Sequence, residues 1–217
     1  KSTSTPENSN GYFDNIEDVH SFAPQLAVIA NPATFHTDVA LKLTEQGVHL
    51  LIEKPIAASQ ESIQLLLDLS RKNNTVLLVG YNLRFLSSLQ EFRSALHLQT
   101  IGKVLSVRCE IGQFLPSWRP NTDYRQGVSA RSKLGGGVLL ELSHEIDYLR
   151  WIFGEVEWVT AILSQQSDLD IDVEDTAHLI FGFTDKIEDK IQLIASVNLD
   201  FIRHDITRLC TAIGDIG

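Results

Sequence analysis

The chain has 217 residues, of which 43% are hydrophobic and 21% charged, a composition typical of a folded domain rather than a disordered chain. Its net charge of -10 argues against a nucleic-acid partner, because phosphate backbones are bound by clustered Lys and Arg. No apolar run approaches the roughly 20 residues of a membrane span. The two cysteines, Cys109 and Cys210, lack CxxC spacing, which argues against a disulfide framework or a thiolate zinc site and favours the reducing cytoplasm.

The first part of the chain alternates short apolar runs with helical patterns. Continuous apolar runs indicate strands that are buried on both faces, Gly47 is placed to end one helix, and Ser59 is placed to cap the next. Strands that alternate with helices predict a doubly wound parallel sheet with right-handed crossovers, an α/β fold. After a loop over 1–11, the predicted elements are helices over 16–22, 34–46 and 60–72 and strands over 26–30, 48–52 and 75–79.

The pattern changes after Tyr81, where a second domain is predicted to begin. A helix to about residue 98 and a turn at Gly102 precede strands joined by turns, which predict a mostly antiparallel sheet. A long polar stretch over 113–133 is rich in aromatic residues and Arg, more than a passive linker needs. The other predicted elements are strands over 104–111, 157–164, 176–183, 192–200 and 207–213 and a helix over 139–153 that follows three glycines.

Polar residues follow each strand of the parallel sheet, at the carboxyl ends where such sheets bind ligands. Lys54 stands between a carboxylate and Pro55, which biases it away from helical dihedrals and, if the peptide bond is cis, directs its ammonium group. The alternative is a solvated lysine at the edge of a loop. The three strand ends read Asn31-Pro32, Glu53-Lys54-Pro55 and Gly80-Tyr81-Asn82.

The helix over 139–153 carries Glu141, His144 and Asp147 at positions i, i+3 and i+6, where neighbouring members share a face. A histidine beside a carboxylate is suited to acid–base chemistry, because imidazole moves a proton near neutral pH. Two alternatives are ordinary charges on a helix surface and a metal site. The metal site is disfavoured because no further His or Cys lies at a ligand-like spacing.

Three more residues are candidates for ligand contact. His36 lies at the start of a helix, where exposed backbone N–H groups favour an anion such as a pyrophosphate, although a polar or capping role is an equal alternative. Asn82 and Arg84 lie just past the third strand. For Arg84, a surface salt bridge is as good an interpretation as ligand contact.

Four motifs in this order resemble the Gfo/Idh/MocA oxidoreductase family. They are Asn31 to His36, Glu53-Lys54-Pro55, Gly80 to Phe85, and Gly135-Gly136-Gly137 through Asp147. The resemblance covers nearly the whole chain and implies a partial Rossmann domain over 1–82, followed over 83–217 by an α/β domain with an open, mostly antiparallel sheet. It implies NAD or NADP as cofactor. It also implies a fragment whose GxGxxG segment, with the determinant of NAD against NADP, precedes Lys1 and whose C-terminal end is missing.

The resemblance also implies roles for individual residues. Lys54 is expected near the nicotinamide and the substrate hydroxyl, and His144 is expected to act as acid–base. Glu141 departs from the family, in which an Asp commonly stands at i-4 from this histidine, a position held here by Leu140. The implied cofactor-binding residues are Asn31, Pro32, His36, Glu53, Lys54 and Asn82. The implied substrate-binding residues are Arg84, Trp118, Arg119, Tyr124 and Asp147.

The expected function is hydride transfer between a nicotinamide and a hydroxyl or carbonyl carbon of a sugar or sugar derivative. The stretch from Trp118 to Arg125 looks like members linked to bacterial surface-polysaccharide biosynthesis, which favours a nucleotide-linked or acidic sugar. Two alternatives on the same fold are an NAD-dependent glycosidase and a non-catalytic sugar-binding regulator. A homo-oligomer that forms through the open sheet is also expected.

Overall fold

The computed structural model describes residues 9, 11–185 and 190–217. Most of the predicted loop over 1–11 therefore lies outside the described residues. Contacts between residues divide the chain into two units, Lys1–Gly80 and Tyr81–Gly217. In the part of the chain that the structure describes, no helix is both long and apolar enough to cross a membrane.

The first unit contains a three-stranded parallel sheet in the order β1-β2-β3, which confirms the predicted parallel pairing. The central strand is paired on both sides, so that Leu50 lies opposite both Ala27 and Leu77. The elements are a 3-10 helix Ile16–Phe22, β1 (Leu26–Ile29), a 3-10 turn Ala33–Phe35, α1 (His36–Glu45), β2 (His49–Ile52), α2 (Ile63–Asn73) and β3 (Leu77–Val79).

One face of this sheet is covered and the other is exposed, so the expectation of strands buried on both faces is wrong for the outer two. The side chains of Leu26, Val28 and Leu78 are 60%, 61% and 59% exposed. Alternate residues point to opposite faces of a strand. The core of this unit joins Ile29 and Leu50 to residues of α1 and α2, so within the described residues the apolar runs exceed the helical surface available to cover them.

The helix ends of the first unit follow the predictions in part. Gly47 follows α1 with a φ of 78°, in the left-handed region that glycine adopts without strain, as predicted. The predicted cap at Ser59 is wrong. Helix α2 begins at Ile63, and the Ser62 that precedes it makes no side-chain capping bond. Local polarity does not distinguish Ser59 from other polar residues in this loop, and the packing of Leu66 into the core decides where the helix begins.

The second unit contains a five-stranded mixed sheet in the order β5-β6-β7-β4-β8. The predicted antiparallel pairing holds except between β4 and β7, which are parallel. β4 lies between β7 and β8 and pairs with β8 in the antiparallel direction. The elements before and within it are a 3-10 turn Asn82–Phe85, α3 (Ser87–His97), β4 (Val104–Gly112), α4 (Val138–Glu141), α5 (His144–Phe153), β5 (Val156–Ser164), β6 (Thr176–Asp185), β7 (Lys190–Asp200) and β8 (Thr207–Gly214).

The two faces of the five-stranded sheet differ in what covers them. On one face Val107, Val197 and Leu199 pack against Leu149 of α5 in a single apolar core. On the other face apolar side chains stay exposed, among them Ile180 on β6, Ile194 on β7 and Ile213 on β8. The sheet is therefore open on that face, as predicted.

Candidate functional site

The carboxyl ends of β1, β2 and β3 meet at one edge of the parallel sheet. The Glu53 N–H donates to the carbonyl of Ile29 (2.8 Å), and the Gly80 N–H donates to that of Ile52 (2.7 Å). Gly80 is confined by its neighbour, because a Cβ there would lie 3.2 Å from a Glu53 carboxylate oxygen. The strand ends that the sequence singled out are thus adjacent, with Asn31 and Glu53 exposed to solvent.

His36 joins two of these strand ends through its buried side chain. Its side chain is buried, its Nδ1 lies 2.9 Å from the carbonyl oxygen of Pro55, and its Nε2 lies 2.8 Å from that of Asn31. A neutral imidazole has a single N–H and donates to one carbonyl, whereas the imidazolium donates to both. These contacts are those of a structural residue, and the cofactor-binding role of His36 stays a prediction.

Lys54 is half-buried at the carboxyl end of β2, and its peptide bond to Pro55 is cis. Nearby in sequence, the 3-10 turn that leads into α1 contains Thr34. The Thr34 hydroxyl oxygen is buried and has no hydrogen-bond partner among the described residues. A buried donor without a partner is unusual, so this turn contains an unused polar group near the edge where the strand ends meet.

The predicted continuous helix over 139–153 is wrong, because it is interrupted between Glu141 and His144. Leu142 caps α4 with a ψ of 30°, outside the helical range, and Ser143 is the N-cap of α5. Glu141 therefore ends one helix and His144 begins the next. The helix face that Glu141, His144 and Asp147 were expected to share crosses this break. The carboxylates of Glu141 and Asp147, which lie on its two sides, have different partners.

Glu174 holds the start of α4. Its Oε1 accepts a hydrogen bond from the Leu139 N–H (3.0 Å), which satisfies one of the free donors at the helix start. The preceding Gly137 has a φ of 109°, and a Cβ there would lie 2.5 Å from the same carboxylate oxygen. The last of the three glycines is therefore required both by its backbone conformation and by the close approach of Glu174.

Arg84 and Asp147, both predicted to bind substrate, bind each other. The guanidinium makes two hydrogen bonds to the carboxylate, at 2.8 Å from Nε and 2.6 Å from Nη2. This fork geometry is the strong form of an ion pair. The hydrogen bonds that it donates to Asp147 raise the pKa of the Arg84 guanidinium. Because the Asp147 side chain is only 10% exposed, the pair is more than the surface salt bridge considered from the sequence.

His144 lies half-buried against Tyr81, which the sequence analysis did not select. The two rings meet edge to face, with centroids 5.6 Å apart and planes at 82°. The Tyr81 hydroxyl is 3.5 Å from the Oγ of Ser143, the residue that caps α5. Tyr81 stands inside the quoted motif Gly80-Tyr81-Asn82, so an aromatic residue next to a candidate strand end was the available signal.

Glu141 has a partner that no sequence pattern indicates. The Ser129 hydroxyl donates to its Oε2 (3.0 Å), and Ser129 is buried in a 3-10 turn, Val128–Ala130. The Gly137 N–H donates to the Ser129 carbonyl (3.1 Å), so the same turn also holds the glycine run in place. The carboxylate of Glu141 is thus oriented by the irregular segment that precedes its helix.

The other predicted substrate residues, Trp118, Arg119 and Tyr124, line a cavity of about 30 Å³ together with Ser129, the partner of Glu141. This volume accepts a water molecule or two but no sugar ring. The Trp118 indole N–H already donates to the Gln113 carbonyl (3.0 Å), and the Tyr124 hydroxyl accepts from the Asp170 N–H (3.3 Å). Arg119 is exposed, as is Asn82.

Among the residues that the structure describes, no group of three or more His, Cys, Asp or Glu is arranged to hold a metal ion. The side chains around α4 and α5 instead pair as a carboxylate with a guanidinium and a carboxylate with a hydroxyl. These pairs restrain the carboxylates of Glu141 and Asp147, and the acid–base role of His144 stays a prediction.

Two family models match the chain in succession. The model of an oxidoreductase family with an NAD-binding Rossmann fold matches residues 3–81, and that of a GFO/IDH/MocA C-terminal domain matches residues 89–206. Together they cover both units of the structure.

Two of the curated relatives are named as dehydrogenases of sugar-related compounds. Levoglucosan dehydrogenase of Pseudarthrobacter phenanthrenivorans is 31% identical over 140 residues, which are 63% of this chain and 35% of that protein. Glucose-6-phosphate 3-dehydrogenase of Bacillus subtilis is 21% identical over 205 residues, 94% of this chain and 56% of that protein. The chain thus spans about a third to a half of the length of these relatives.

Among solved structures, the fold is similar to that of the WlbA dehydrogenase from Bordetella pertussis in complex with NADH and UDP-GlcNAcA. The TM-score is 0.79 at 21% identity, over 94% of this chain and 57% of that one. At this identity the similarity demonstrates a common fold, with the two-part architecture described above.

Proposed function

Since the chain belongs to the Gfo/Idh/MocA family of oxidoreductases, we propose that it acts in an enzyme that uses NAD or NADP to oxidise or reduce a sugar or sugar derivative. Hydride would pass between the nicotinamide and a hydroxyl or carbonyl carbon of the substrate. The observation that carries the proposal is the polar edge of the parallel sheet, where Asn31, Glu53 and Lys54 follow adjacent strands and buried His36 joins two of their ends.

The residues at this edge fit a dinucleotide. Asn31 and Glu53 offer polar groups to solvent, and Thr34 has a hydroxyl without a partner in the described residues. We propose that residues 1–82 hold the cofactor through Asn31, Pro32, Glu53, Lys54 and Asn82. When bound, the nicotinamide accepts or returns a hydride, and the protein supplies binding, orientation and proton transfer.

Two residues of this chain are proposed to act on the substrate oxygen. The Lys54 ammonium stabilises the negative charge that develops on that oxygen as its proton leaves. His144 accepts the proton from the hydroxyl during oxidation and returns it during reduction, since imidazole works in both directions near neutral pH. Glu141, whose carboxylate accepts a hydrogen bond from Ser129, is proposed to support this transfer.

Residues 83–217 are proposed to bind the sugar, with Arg84, Trp118, Arg119, Tyr124 and Asp147 as the binding residues. The names of the relatives support a sugar, and the complex of the WlbA dehydrogenase with UDP-GlcNAcA supports a nucleotide-linked or acidic one of surface-polysaccharide biosynthesis. A solvent-exposed Arg119 and the guanidinium of Arg84 are suited to an anionic group on such a substrate.

Assembly and location are proposed on separate observations. Exposed apolar residues on the open face of the five-stranded sheet, among them Ile180, Ile194 and Ile213, favour a homo-oligomer formed through that face. Two free thiols favour a reducing, cytoplasmic location. Ile194→Lys should lower the mass measured by light scattering, whereas Leu65→Lys, on an exposed face of α2, should leave it unchanged.

The function is tested by cofactor binding and turnover. Calorimetry with NADH and NADPH measures binding, and absorbance of the reduced nicotinamide follows turnover with a panel of free, phosphorylated, acidic and nucleotide-linked sugars. We expect His144→Ala to lower kcat at least about 100-fold while cofactor binding is retained, because a general acid–base contributes about that factor. Lys54→Ala should lower kcat as well.

Matched controls separate chemistry from folding. His20→Ala removes an exposed histidine of the 3-10 helix Ile16–Phe22, and Lys72→Ala removes an exposed lysine at the end of α2. Both should retain turnover. Unchanged turnover in both Lys54→Ala and His144→Ala would contradict the proposal. Substrate cleavage without net NADH formation would indicate a glycosidase, and sugar binding without turnover would indicate a regulator.

A further inference from the structure

Cys109 and Cys210 lie side by side in the five-stranded sheet although 101 positions separate them. Cys109 is on β4 and Cys210 is on β8, and the antiparallel register places the two residues directly opposite each other. Their Sγ atoms are 3.2 Å apart, and both are free thiols. The fold therefore brings the only two cysteines of the chain into contact.

The backbone geometry at this position matches what a disulfide requires. Directly opposite residues of an antiparallel pair have Cα atoms roughly 4.5–5.5 Å apart. Disulfides join Cα atoms roughly 4.4–6.8 Å apart. A bond between the two sulfurs thus needs rotation of side chains but no change of strand register.

The two thiols differ in access. Cys109 is 1% exposed, whereas Cys210 is half-buried. β8 is the last strand in the order of the sheet, so among the described strands only β4 pairs with it. A small oxidant therefore reaches Cys210 first, from the outer edge of β8.

The surroundings divide the thiols into an attacking and a resolving partner. The hydrogen bond from Cys109 lowers the pKa of the Cys210 thiol against the opposing effect of burial, whereas that bond and burial raise the pKa of Cys109. The Tyr148 hydroxyl donates to the Cys109 sulfur (3.4 Å). Two charged residues, Glu145 and Arg208, face the pair of thiols and form an ion pair with each other at 3.0 Å.

We propose that Cys109 and Cys210 form an oxidation site that hydrogen peroxide converts into a cross-strand disulfide. The Cys210 thiolate attacks one peroxide oxygen, the O–O bond breaks, and Cys210 becomes a sulfenic acid. The Cys109 sulfur then attacks the Cys210 sulfur, the S–O bond breaks, and Cys109 releases its proton. In total two thiols and one peroxide give one disulfide and two waters, with two electrons passing from sulfur to peroxide.

The site is independent of the proposed enzymatic function, and its test needs no substrate. Because the chain has only two cysteines, intact mass spectrometry after peroxide treatment and alkylation with iodoacetamide follows both thiols. We expect a monomer that is lighter by two hydrogen atoms and takes up no alkyl group. Dithiothreitol should restore the original mass and the uptake of two alkyl groups. Peptide mapping should join the peptides of Cys109 and Cys210, and the rate should not depend on protein concentration.

Two variants identify the order of attack. In Cys109→Ser the sulfenic acid of Cys210 cannot be resolved and should be trapped by dimedone. In Cys210→Ser the buried Cys109 should react with peroxide at least about 10-fold more slowly than Cys210 does in the wild-type protein, since the Cys109 thiolate is disfavoured and shielded. The wild-type measurement stands even if a variant fails to fold. Wild-type protein that keeps two alkylatable thiols, forms disulfide-linked dimers, or yields only sulfinic acid would overturn the proposal.

Discussion

The loops at the carboxyl ends of β1 and β2 are held through backbone carbonyls, whereas the candidate residues around α4 and α5 are held by other side chains. In the first unit one buried imidazole contacts the carbonyls of Asn31 and Pro55. In the second, Arg84 holds Asp147 and Ser129 holds Glu141. Both arrangements restrain candidate functional residues, but they depend on different kinds of groups.

The two kinds of restraint respond differently to substitution. A carbonyl is present whatever residue stands at that position, so the loops of the first unit tolerate changes of side chain as long as His36 remains. A side-chain pair is lost when either member changes. Effects of substitution should therefore be concentrated in one residue in the first unit and distributed over several in the second.

The largest effect is expected for His36→Ala. It removes a buried side chain and leaves two loop carbonyls without their partner, for an expected loss of about 4 kcal/mol in unfolding free energy. Urea unfolding followed by circular dichroism measures the loss, and hydrogen exchange of peptides over 26–56 locates it. His20→Ala, at an exposed position of the same unit, should cost less than about 0.5 kcal/mol. If the two variants lose equal amounts of unfolding free energy, these loops do not depend on His36.

The next largest effect is expected for Gly137→Ala, at about 3 kcal/mol, because backbone strain adds to a contact with Glu174. Gly154→Ala is the matched control. Its φ of 95° is equally unfavourable, but nothing lies within 4 Å of an added Cβ, so strain alone should cost about 1–2 kcal/mol. Adding Glu174→Ala should partly relieve Gly137→Ala. If the two alanine variants are equally stable, the contact with Glu174 contributes nothing.

An intermediate effect is expected for Asp147→Asn, which breaks the bidentate pair with Arg84. We expect a loss of about 2 kcal/mol, less than for a fully buried pair because 41% of the Arg84 side chain is exposed. Fluorescence of Trp151, whose ring lies 6.0 Å from the Arg84 guanidinium carbon, follows unfolding of this unit. Glu155→Gln, in the same unit, breaks the exposed pair with Arg150 and should cost less than about 0.5 kcal/mol. A loss no larger in Asp147→Asn would contradict the structural importance of the pair.

The smallest effect is expected for Ser129→Ala, which removes one neutral-to-charged hydrogen bond to Glu141 and should cost about 1 kcal/mol. Thr122→Ala, in the same unit, removes an exposed hydrogen bond to the Arg119 carbonyl and is the control, with an expected change under about 0.5 kcal/mol. Tryptophan fluorescence is again suitable, since all three tryptophans lie in the second unit. Identical changes in the two variants would mean that Ser129 does not restrain Glu141.

Most of the fold was predictable because it depends on local patterns. The three apolar runs of the first unit paired in parallel as predicted, and Gly47 ended its helix as a left-handed residue. The face of the sheet that stays exposed was not predictable, since an apolar run does not reveal how much helical surface is available to cover it. The break at Leu142 was missed for a similar reason, because helical periodicity continues across it.

The sequence by itself determined the order of elements, which depends on composition and spacing along the chain. It also determined the family and the candidate motif residues, through the resemblance of four motifs. Tertiary structure alone decided the partners of those residues. Ser129 and Glu141 are 12 positions apart, Arg84 and Asp147 are 63 apart, and Cys109 and Cys210 are 101 apart. Hydrogen bonds and sulfur contacts form between atoms a few ångströms apart, and folding brings residues that far apart in the chain to such distances through packing, which no local pattern encodes.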